Sequence, residues 1–265
     1  MYTDEAQPNI LKFNIFRNEP GIVQFVTTRI TPDGHENCFN IGFSGDSDID
    51  VVKNRLMLAS ALGIQPENIV FQTQVHVINA TIVDQSNAGG GFYTIDTAIP
   101  NNDILITSTP GLCLIARSAD CVPVLMYCRS KRVVAAIHSG REGCRLGAAT
   151  EAARILHEKF GCAYSEILVG VGPHICSRCY TVDKKCATLY SQRKLYAPDI
   201  VTLDADAQYH IDLKKTIVSD LMHIGIPLSN IEHSCLCTMH DNNLFFSARA
   251  GDMERFCAGI MITEN

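Results

Sequence analysis

The sequence predicts an α+β protein in which sheets and helices form layers, and two observations lead to this prediction. Continuous apolar runs of strand length crowd the middle of the chain, as is typical of strands covered on both faces. Helical patterns occur on either side of these runs, but strict alternation of strand and helix fails in the middle, which disfavours a doubly wound parallel sheet. Because no linker interrupts the chain, we predict a single domain over residues 1–265.

The first hundred residues contain strand, helix and loop signals. Their predicted strands are Ile22–Val26, Ile69–Phe71 and Val77–Val83, and their predicted flexible loop, or lid, is Gly89–Gly91. The strands are apolar or rich in β-branched residues, which favour the extended backbone. A helix is predicted to begin at Asp48 and to end at Gly63, because glycine readily takes the left-handed conformation that follows a helix.

The rest of the chain contains most of the predicted sheet. Its predicted strands are Asp103–Thr107, Leu112–Ala116, Val122–Cys128, Val133–Ile137, Ile167–Val171 and Ile260–Thr263. Two helices are predicted at Leu146–Phe160 and Lys214–His223, and each is followed within two residues by a glycine. The four strands between residues 103 and 137 follow one another without an intervening helical pattern.

Composition excludes several classes of function. The hydrophobic share of 46% and the charged share of 19% are those of an ordinary globular protein. The net charge of -6, with Lys and Arg scattered, disfavours a nucleic-acid partner. No apolar stretch approaches the roughly 20 residues that span a membrane. The acidic N-terminus does not resemble a signal peptide, so we predict a cytoplasmic protein whose twelve cysteines are reduced. No feature identifies a partner protein.

Three potential metal ligands, His76, Cys121 and His138, each lie at the edge of an apolar strand. Two histidines and a cysteine form a catalytic zinc site when a fourth position stays open for water or substrate. Asp120, beside Cys121, is a candidate for orienting a ligand or for acting as a general base. Its alternative role is a hydrogen bond to nearby backbone. A further alternative is a metal-free hydrolase with Cys121 as nucleophile and His138 or His76 as base.

The turn after His138 contains Gly140 and Gly143 and leads into a helix. Such a turn exposes backbone N–H groups beside a helix N-terminus, which favours a phosphate or carboxylate, and Arg141 would add positive charge. The alternative is a connecting loop whose glycines serve only the turn.

A second cysteine group has the composition of a structural zinc site. Cys176-x-x-Cys179 and Cys235-x-Cys237 would together supply four thiolates, and His174, His233 and His240 are further candidate ligands nearby. A redox role for the Cys-x-x-Cys pair is less favoured, because the surrounding pattern is not that of a thioredoxin-like strand and helix.

Nine short segments, spread along nearly the whole chain, form a recognisable series of motifs. They are Asn40-Ile41-Gly42, Val52-Lys53-Asn54-Arg55, Thr73-Gln74-Val75-His76, Ser118-Ala119-Asp120-Cys121-Val122-Pro123, Ala136-Ile137-His138-Ser139-Gly140, Gly172-Pro173-His174-Ile175, Cys179-Tyr180, Cys237-Thr238 and Phe245-Phe246-Ser247-x-Arg249. In this order they resemble the family first described as multicopper polyphenol oxidoreductases (laccases) and later as purine nucleoside-processing enzymes. The chain departs from the family pattern at Arg141-Glu142, Thr181 and Ala248.

The resemblance implies that His76, Cys121 and His138 bind a metal, with zinc as the expected ion and copper as the alternative. It implies phosphorolysis of purine nucleosides (adenosine, inosine, guanosine and methylthioadenosine) and deamination of adenosine. It also implies a layered α/β/β/α sandwich similar to the catalytic domains of deamidating toxins. Under this interpretation the catalytic residues are Asp120, Cys121 and His138, and the substrate-binding residues are Asn40, Arg55, Gly140, Arg141 and Arg249, with Arg55 the first candidate for phosphate.

Two alternative functions remain beside the nucleoside enzyme and the thiol hydrolase. A copper-dependent phenol oxidase would use many histidines, including paired ones, and the sequence contains no His-x-His. A non-catalytic protein that keeps zinc for structure is suggested by the altered Arg141-Glu142 turn.

Overall fold

The computed structural model describes residues 1–4, 7–36, 38–193 and 197–264, and its strands form three sheets. In chain order the strands are β1 Tyr2–Asp4, β2 Gln7–Lys12, β3 Ile22–Thr27, β4 Ile69–Val70, β5 Ala80–Ile82, β6 Ile104–Thr107, β7 Cys113–Ser118, β8 Val122–Cys128, β9 Val133–Ser139, β10 Ile167–Val171, β11 Thr181–Val182, β12 Val201–Leu203, β13 Tyr209–Ile211, β14 Ile231–His233 and β15 Phe256–Ile262. The α-helices are α1 Asp48–Leu62, α2 Arg141–Leu146, α3 Ala148–Phe160, α4 Lys184–Ser191 and α5 Leu213–His223. The mixed α+β class predicted from the sequence is confirmed.

The first sheet has the strand order β1-β2-β3-β15-β7-β4. Its central strand is β15, which pairs antiparallel with β3 on one side and with β7 on the other. The strand predicted at Ile260–Thr263 therefore exists, but it begins earlier, at Phe256. This C-terminal strand is a wholly apolar run, as is typical of a strand with neighbours on both sides and covered faces, and its small residues Ala258 and Gly259 lie side by side at its centre.

The second sheet has the order β14-β10-β8-β9-β6-β5. Strands β8 and β9 form an antiparallel pair in which Pro123 lies opposite His138 and Val122 opposite Ser139. The beginning of β8 therefore meets the end of β9. A third, three-stranded sheet has the order β11-β13-β12, and its strands lie in the chain between β10 and β14 of the second sheet.

The apolar side chains of the two large sheets form separate clusters on their two faces. Along β8, Val124 and Met126 pack with residues of α3 and α5, whereas Leu125 and Tyr127 pack with residues of the first sheet. This alternation explains why the whole strand is apolar, since successive side chains of a strand point to opposite faces. On the far side of the first sheet, Leu58 of α1 packs with residues of β2, β3 and β7.

The helix predicted at Leu146–Phe160 is α3, which begins two residues later than predicted, and a short helix, α2, precedes it where a turn was expected. Helix α2 ends at Leu146, Gly147 takes a left-handed conformation with φ 86°, and α3 begins at Ala148. Gly63 and Gly161 adopt the same conformation after α1 and α3, as predicted. The predicted helix at Lys214–His223 is α5.

Two predictions for residues 77–91 are corrected. The strand expected at Val77–Val83 is confined to Ala80–Ile82, because the N–H of Val77 bonds to the Asp103 carboxylate instead of to a neighbouring strand. The segment Gly89–Gly91 is a packed turn and not a lid. A Cβ at Gly91, where φ is 75°, would lie 2.7 Å from the Cβ of Ala98.

Within the described ranges, no helix combines the length and the apolar character that crossing a membrane requires.

Candidate active site

His76, Cys121 and His138 come together at one end of the second sheet. One ligand atom from each lies within 4.8 Å of the corresponding atoms of the other two. The centroids of the two imidazole rings are 4.9 Å apart, with one ring edge toward the other ring face. A single ion fits among three donors at these separations, because zinc lies about 2.0–2.3 Å from imidazole nitrogen and thiolate sulfur.

Strand pairing brings two of these residues together. Cys121 immediately precedes β8, and His138 is the penultimate residue of β9, so the antiparallel register makes them neighbours. His76 reaches the same point from the turn between β4 and β5, where it holds a left-handed backbone conformation with φ 63°. Such a conformation is uncommon for residues other than glycine and costs energy that surrounding contacts must offset.

Asp103, which directly precedes β6, supplies these contacts. One carboxylate oxygen accepts hydrogen bonds from the N–H groups of Val75 and Val77, at 3.1 and 2.9 Å, and so fixes the turn on both sides of His76. The other oxygen is 2.6 Å from Nδ1 of His138. The histidine thus donates Nδ1–H to Asp103, which leaves Nε2 as the free donor atom for a metal.

Electrostatics favour a neutral His138 and a protonated Cys121 in the metal-free protein. Burial lowers the pKa of His138, although Asp103 opposes this shift. Burial also raises the pKa of Cys121 to about 12, and nearby Cys144 and Asp120 act in the same direction. A thiol in such surroundings becomes a thiolate when a cation is bound beside it.

Gly140 leaves room for the ligands. A Cβ at this position would lie 2.8 Å from Cδ2 of His76 and 2.9 Å from Sγ of Cys121. Its φ of -73° is open to any residue, so space, and not backbone conformation, requires glycine here. Gly140 was predicted to bind substrate, but the structure shows it packed closely against the ligands His76 and Cys121.

A cavity of about 510 Å³ opens beside the three ligands. This volume is in the range of pockets that take small organic molecules. Its walls also contain three arginines, Arg117, Arg249 and Arg255, and the ring of Tyr180. The cavity therefore combines a potential cation site with an excess of positive side chains.

Arg117 and Arg255 form the most positive part of this wall. Burial, and after it the charge of Arg255, lowers the pKa of Arg117 to about 10. Nη2 of Arg117 donates to the carbonyl of Gln72 at 2.7 Å, whereas its buried Nε has no hydrogen-bond partner among the described residues. Among the described residues, Nη1 of Arg255 donates only to the carbonyls of Met253 and Glu254. Neither guanidinium is neutralised by a carboxylate in these contacts, which favours binding of an anion.

Asp120 lines the cavity with its carboxylate already engaged. Its oxygens accept hydrogen bonds from the hydroxyls of Thr238 and Ser247 and from the N–H of Arg249, at 2.6 to 2.7 Å. Its φ of 92° is a further left-handed conformation beside the site. Because three donors already occupy its oxygens, the geometry supports a role for Asp120 in anchoring the C-terminal loop rather than the predicted role of general base.

Arg55 and Asn40 do not line the cavity, which corrects the predicted substrate contacts. Arg55 is 1% exposed, donates to the carbonyls of Ile41, Gly91 and Phe92, and is covered by the rings of Phe43 and Phe71. Asn40 is buried and acts indirectly. Its Oδ1 accepts from the N–H of Arg255, and its Nδ2 donates to the carbonyl of Ser44.

Arg141 and Arg249 both interact with Tyr180 but line different cavities. Arg249 stacks over the Tyr180 ring at 5.2 Å and donates to Thr181, as expected for a residue of the cavity wall. Arg141 lines a separate cavity of about 200 Å³ together with Glu142, so its predicted contact with the same substrate is not supported. The turn predicted as a phosphate site is the start of α2, which has six residues.

Sequence reasoning missed three residues of this site, namely Asp103, Arg117 and Arg255. Asp103 carried a usable signal, since an acidic residue begins an otherwise apolar strand and must find a partner when buried. Arg117 gave a similar signal inside the apolar strand β7. The second predicted cysteine site also differs from expectation: Cys176, Cys179 and Cys237 cluster with His240, while Cys235 is exposed and outside the cluster.

Comparisons with known proteins agree on one family. Residues 24–263 match the family described as Multi-copper polyphenol oxidoreductase laccase. A Bacteroides thetaiotaomicron protein named Purine nucleoside phosphorylase is 27% identical over 259 residues, or 96% of each chain. A protein from an unknown prokaryotic organism, named Adenosine deaminase RL5, is 27% identical over 242 residues, covering 90% of this chain and 92% of its own. The crystal structure of YlmD from Geobacillus stearothermophilus is 31% identical, covers 99% of both chains and gives a TM-score of 0.89.

Proposed function

Because the chain belongs to the multi-copper polyphenol oxidoreductase laccase family, we propose that it is a zinc-dependent enzyme of purine nucleosides. Its reactions are phosphorolysis of adenosine, inosine, guanosine and methylthioadenosine and deamination of adenosine. The names of its relatives support this substrate class. The observation that carries the proposal is the cavity that three metal ligands share with two arginines, neither of which pairs with a carboxylate of the described residues. In this proposal residues 1–265 act as one domain, layered as in deamidating toxins.

The donor set suits zinc at an open site. Two imidazoles and one thiolate supply three ligands, and the side toward the cavity stays free for water or substrate. When bound there, zinc supplies Lewis-acid polarisation and activates water at neutral pH. Blue-copper sites also use two His and one Cys but add a long axial ligand such as Met. Among the residues that line this cavity there is no Met, so zinc is the better fit.

The chain's own residues divide the remaining work. In phosphorolysis a phosphate oxygen bonds to the anomeric carbon of ribose, the bond from that carbon to N9 breaks, and the purine leaves with a proton. Arg117 and Arg255 bind the phosphate, because its charge matches theirs and guanidinium offers several N–H donors. Asp103 keeps the proton on Nδ1 of His138. Asp120 holds Thr238, Ser247 and Arg249 and thereby fixes the wall that contacts the nucleoside.

In deamination the oxygen of water bonds to the purine carbon that bears the amino group, and ammonia leaves. This reaction uses no phosphate. The two reactions therefore depend differently on Arg117 and Arg255, and the difference provides an internal control.

A second candidate function is a thiol hydrolase, which the line from Cys121 to His138 to Asp103 favours, since it has the order of nucleophile, base and orienting carboxylate. The pKa of Cys121, raised by burial to about 12, counts against it. Alkylation of Cys121 in zinc-free protein separates the two functions. A thiol hydrolase is active without zinc and loses this activity when Cys121 is alkylated, whereas the zinc enzyme is inactive without zinc from the start.

The test of the proposed function measures release of base and of ammonia from a nucleoside panel, with and without phosphate. In Arg117→Met, loss of a charged hydrogen-bond donor weakens phosphate binding by about 1.5–3 kcal/mol, or roughly 10- to 100-fold in KM for phosphate. Deamination of adenosine is expected to stay near the wild-type rate. Arg255→Met is expected to show the same rise in KM for phosphate and the same unchanged deamination. With two variants, a folding defect in one of them does not decide the result.

Arg154→Met is the matched control, since Arg154 is an exposed arginine on α3 that pairs with Glu151 and lies outside the cavity. Its KM for phosphate is expected to equal that of the wild type. If zinc-loaded wild type releases no base from any nucleoside in the presence of phosphate, the phosphorylase function is wrong. If it also releases no ammonia from adenosine, the substrate class is wrong.

A further inference from the structure

Four potential metal ligands form a second group outside the active site, namely Cys176, Cys179, Cys237 and His240. One ligand atom from each lies within 4.8 Å of all the others. Sγ of Cys179 is 3.2 Å from Nε2 of His240, and Sγ of Cys176 is 3.8 Å from Nδ1 of the same ring. In a tetrahedral zinc site with the usual bond lengths, ligand atoms lie about 3.5–3.8 Å apart. The side chains are thus close to the arrangement that one ion needs.

The backbone at each end of the cluster is folded tightly. The N–H groups of Cys179 and Tyr180 both donate to the carbonyl of Cys176 at 3.0 Å, which closes a turn with both sulfurs on one side. At the other end, the N–H of Cys237 donates to Oδ2 of Asp241, and the N–H of Asp241 donates back to the carbonyl of Cys237. The two turns therefore present their ligands without help from each other.

Backbone contacts also join the two turns. The N–H of Cys176 points to Sγ of Cys237 at 3.3 Å, and the N–H of Thr238 donates to the carbonyl of His174 at 3.1 Å. A donor aimed at a sulfur favours its thiolate form. The ligands come from two segments about sixty residues apart, so their convergence is a property of the fold and not of local spacing.

We propose that Cys176, Cys179, Cys237 and His240 bind a structural zinc ion. Three sulfurs and one imidazole complete a tetrahedron, which leaves no open position for substrate and distinguishes this site from the one at His138. The pattern is Cys-x-x-Cys followed by Cys-x-x-His, which has the two-residue spacings that zinc sites commonly use. The proposal does not depend on the nucleoside chemistry.

The ion would hold two walls of the active-site cavity together. Cys179 is followed by Tyr180, which lines the cavity. The carbonyl of Cys179 accepts a hydrogen bond from Nη1 of Arg249 at 3.5 Å. Cys237 is followed by Thr238, whose hydroxyl donates to Asp120, a second residue of the cavity wall. A metal that joins residues 176–179 to residues 237–240 thus fixes the distance between these walls. The ion would thus position cavity residues and would not itself contact the substrate.

The test is zinc content per chain, measured on protein purified without added chelator. Wild type is expected to contain about two zinc ions, whereas Cys176→Ser and His240→Ala contain about one each. Cys121→Ala also contains about one, because it loses only the active-site ion, and the double variant Cys121→Ala with Cys176→Ser contains none. Each site is counted separately, so failure of the active-site assignment is distinguishable from failure of this one.

Cys235→Ser is the matched control. Cys235 is an exposed cysteine two residues before Cys237 and lies outside the cluster. It is expected to keep both ions, which separates loss of a ligand from a general effect of removing a thiol in this loop. Equal zinc content in wild type and in Cys176→Ser would overturn the proposal. So would a Cys176–Cys179 disulfide in the purified wild type, detected by mass spectrometry as the loss of two hydrogens.

Cobalt gives a second readout that does not use activity. Cys121→Ala protein loaded with Co²⁺ contains only the proposed site, and it is expected to show the visible absorption of a tetrahedral ion and charge-transfer bands from three thiolates. Cys176→Ser introduced into this variant is expected to remove both signals. Far-ultraviolet circular dichroism establishes whether each variant is folded, and a folded Cys121→Ala protein without these bands would contradict the proposal.

Discussion

Asp103 shows how one buried carboxylate organises the active site. Its two oxygens serve different purposes, since one fixes the turn that carries His76 and the other selects the tautomer of His138. Although burial opposes ionisation, the hydrogen bonds from His138 and from the two N–H groups lower the pKa of Asp103. The side chain is therefore an anion that contacts no metal itself and orients two ligands.

Asp103→Asn is expected to weaken zinc binding at the active site by about 10- to 100-fold, as loss of such an orienting partner does in other zinc sites. The amide keeps the shape of the side chain but removes the charge that stabilises the Nδ1–H tautomer. Competition with a chromogenic chelator measures the affinity, in a Cys176→Ser background that removes the second ion.

Asp96→Asn is the control for this change, because Asp96 is exposed and lies in a turn away from the ligands. Its zinc affinity is expected to equal that of the parent. An Asp103→Asn protein that binds zinc as tightly as this control would show that Asp103 does not orient the ligands.

The arginines show that sequence alone does not reveal which charged side chains face the cavity. Arg55 lies in a family motif and carries the expected charge, yet it is buried against carbonyl groups and two aromatic rings. Arg117, in an apolar strand, lines the cavity instead. A motif gives the residue type, but which side of a helix or strand faces a cavity depends on packing partners from distant parts of the chain.

At the scale of elements, the break between α2 and α3 is the clearest difference from the sequence-based expectation. Gly147 ends α2, where its N–H donates to the carbonyl of Gly143, and its own carbonyl accepts from the N–H of Glu151 in α3. One left-handed residue thus caps both helices and changes the direction of the chain. The sequence analysis predicted a turn through Gly140 and Gly143 and a helix from Leu146, so it missed α2, whose six residues contain a glycine in the interior.

Gly147→Ala is expected to lower the free energy of unfolding by about 1–2 kcal/mol, because a Cβ is disfavoured in the left-handed conformation. The measurement is chemical denaturation followed by circular dichroism. Gly143→Ala is the matched control: its Cβ would meet neighbouring atoms at 3.6 Å or more, and its φ is not positive.

Because alanine favours a helix interior over glycine, Gly143→Ala is expected to stabilise the protein slightly or leave it unchanged. Zinc content should be unaffected in both variants. Equal stability of Gly147→Ala and wild type would show that the left-handed conformation does not limit this position.

At the scale of the whole molecule, two large sheets pack face to face and bring the ends of separate strands to one cavity. The strands themselves were largely predictable, because buried strands are continuous apolar runs. The pairing of β8 with β9, which joins Cys121 to His138, is set by their hydrogen bonds, and spacing alone did not show it. The three ligands were candidates from their positions at strand edges, and the resemblance to a known family supplied the reason to group them at one site.

Short edge strands and the third sheet were not predicted. Strands β11, β12 and β13 contain two or three residues each, too few to show an alternation. The sequence offered His174, His233 and His240 as candidate ligands, but it did not show which of them joins the cysteines, since this depends on how the segments after β10 and β14 meet. In physical terms, local sequence determines which segments are strands and helices, whereas ligand sets arise from contacts between them.

The most direct test of the central claim is to add zinc back to zinc-depleted protein and to measure adenosine turnover, both as ammonia released and as adenine released with phosphate. Wild type and Cys235→Ser are expected to regain both activities as zinc is added, because His76, Cys121 and His138 bind the ion beside the arginine-lined cavity. Cys121→Ala is expected to stay inactive at every zinc concentration. Turnover by zinc-depleted wild type, or wild-type turnover by zinc-loaded Cys121→Ala, would contradict the account.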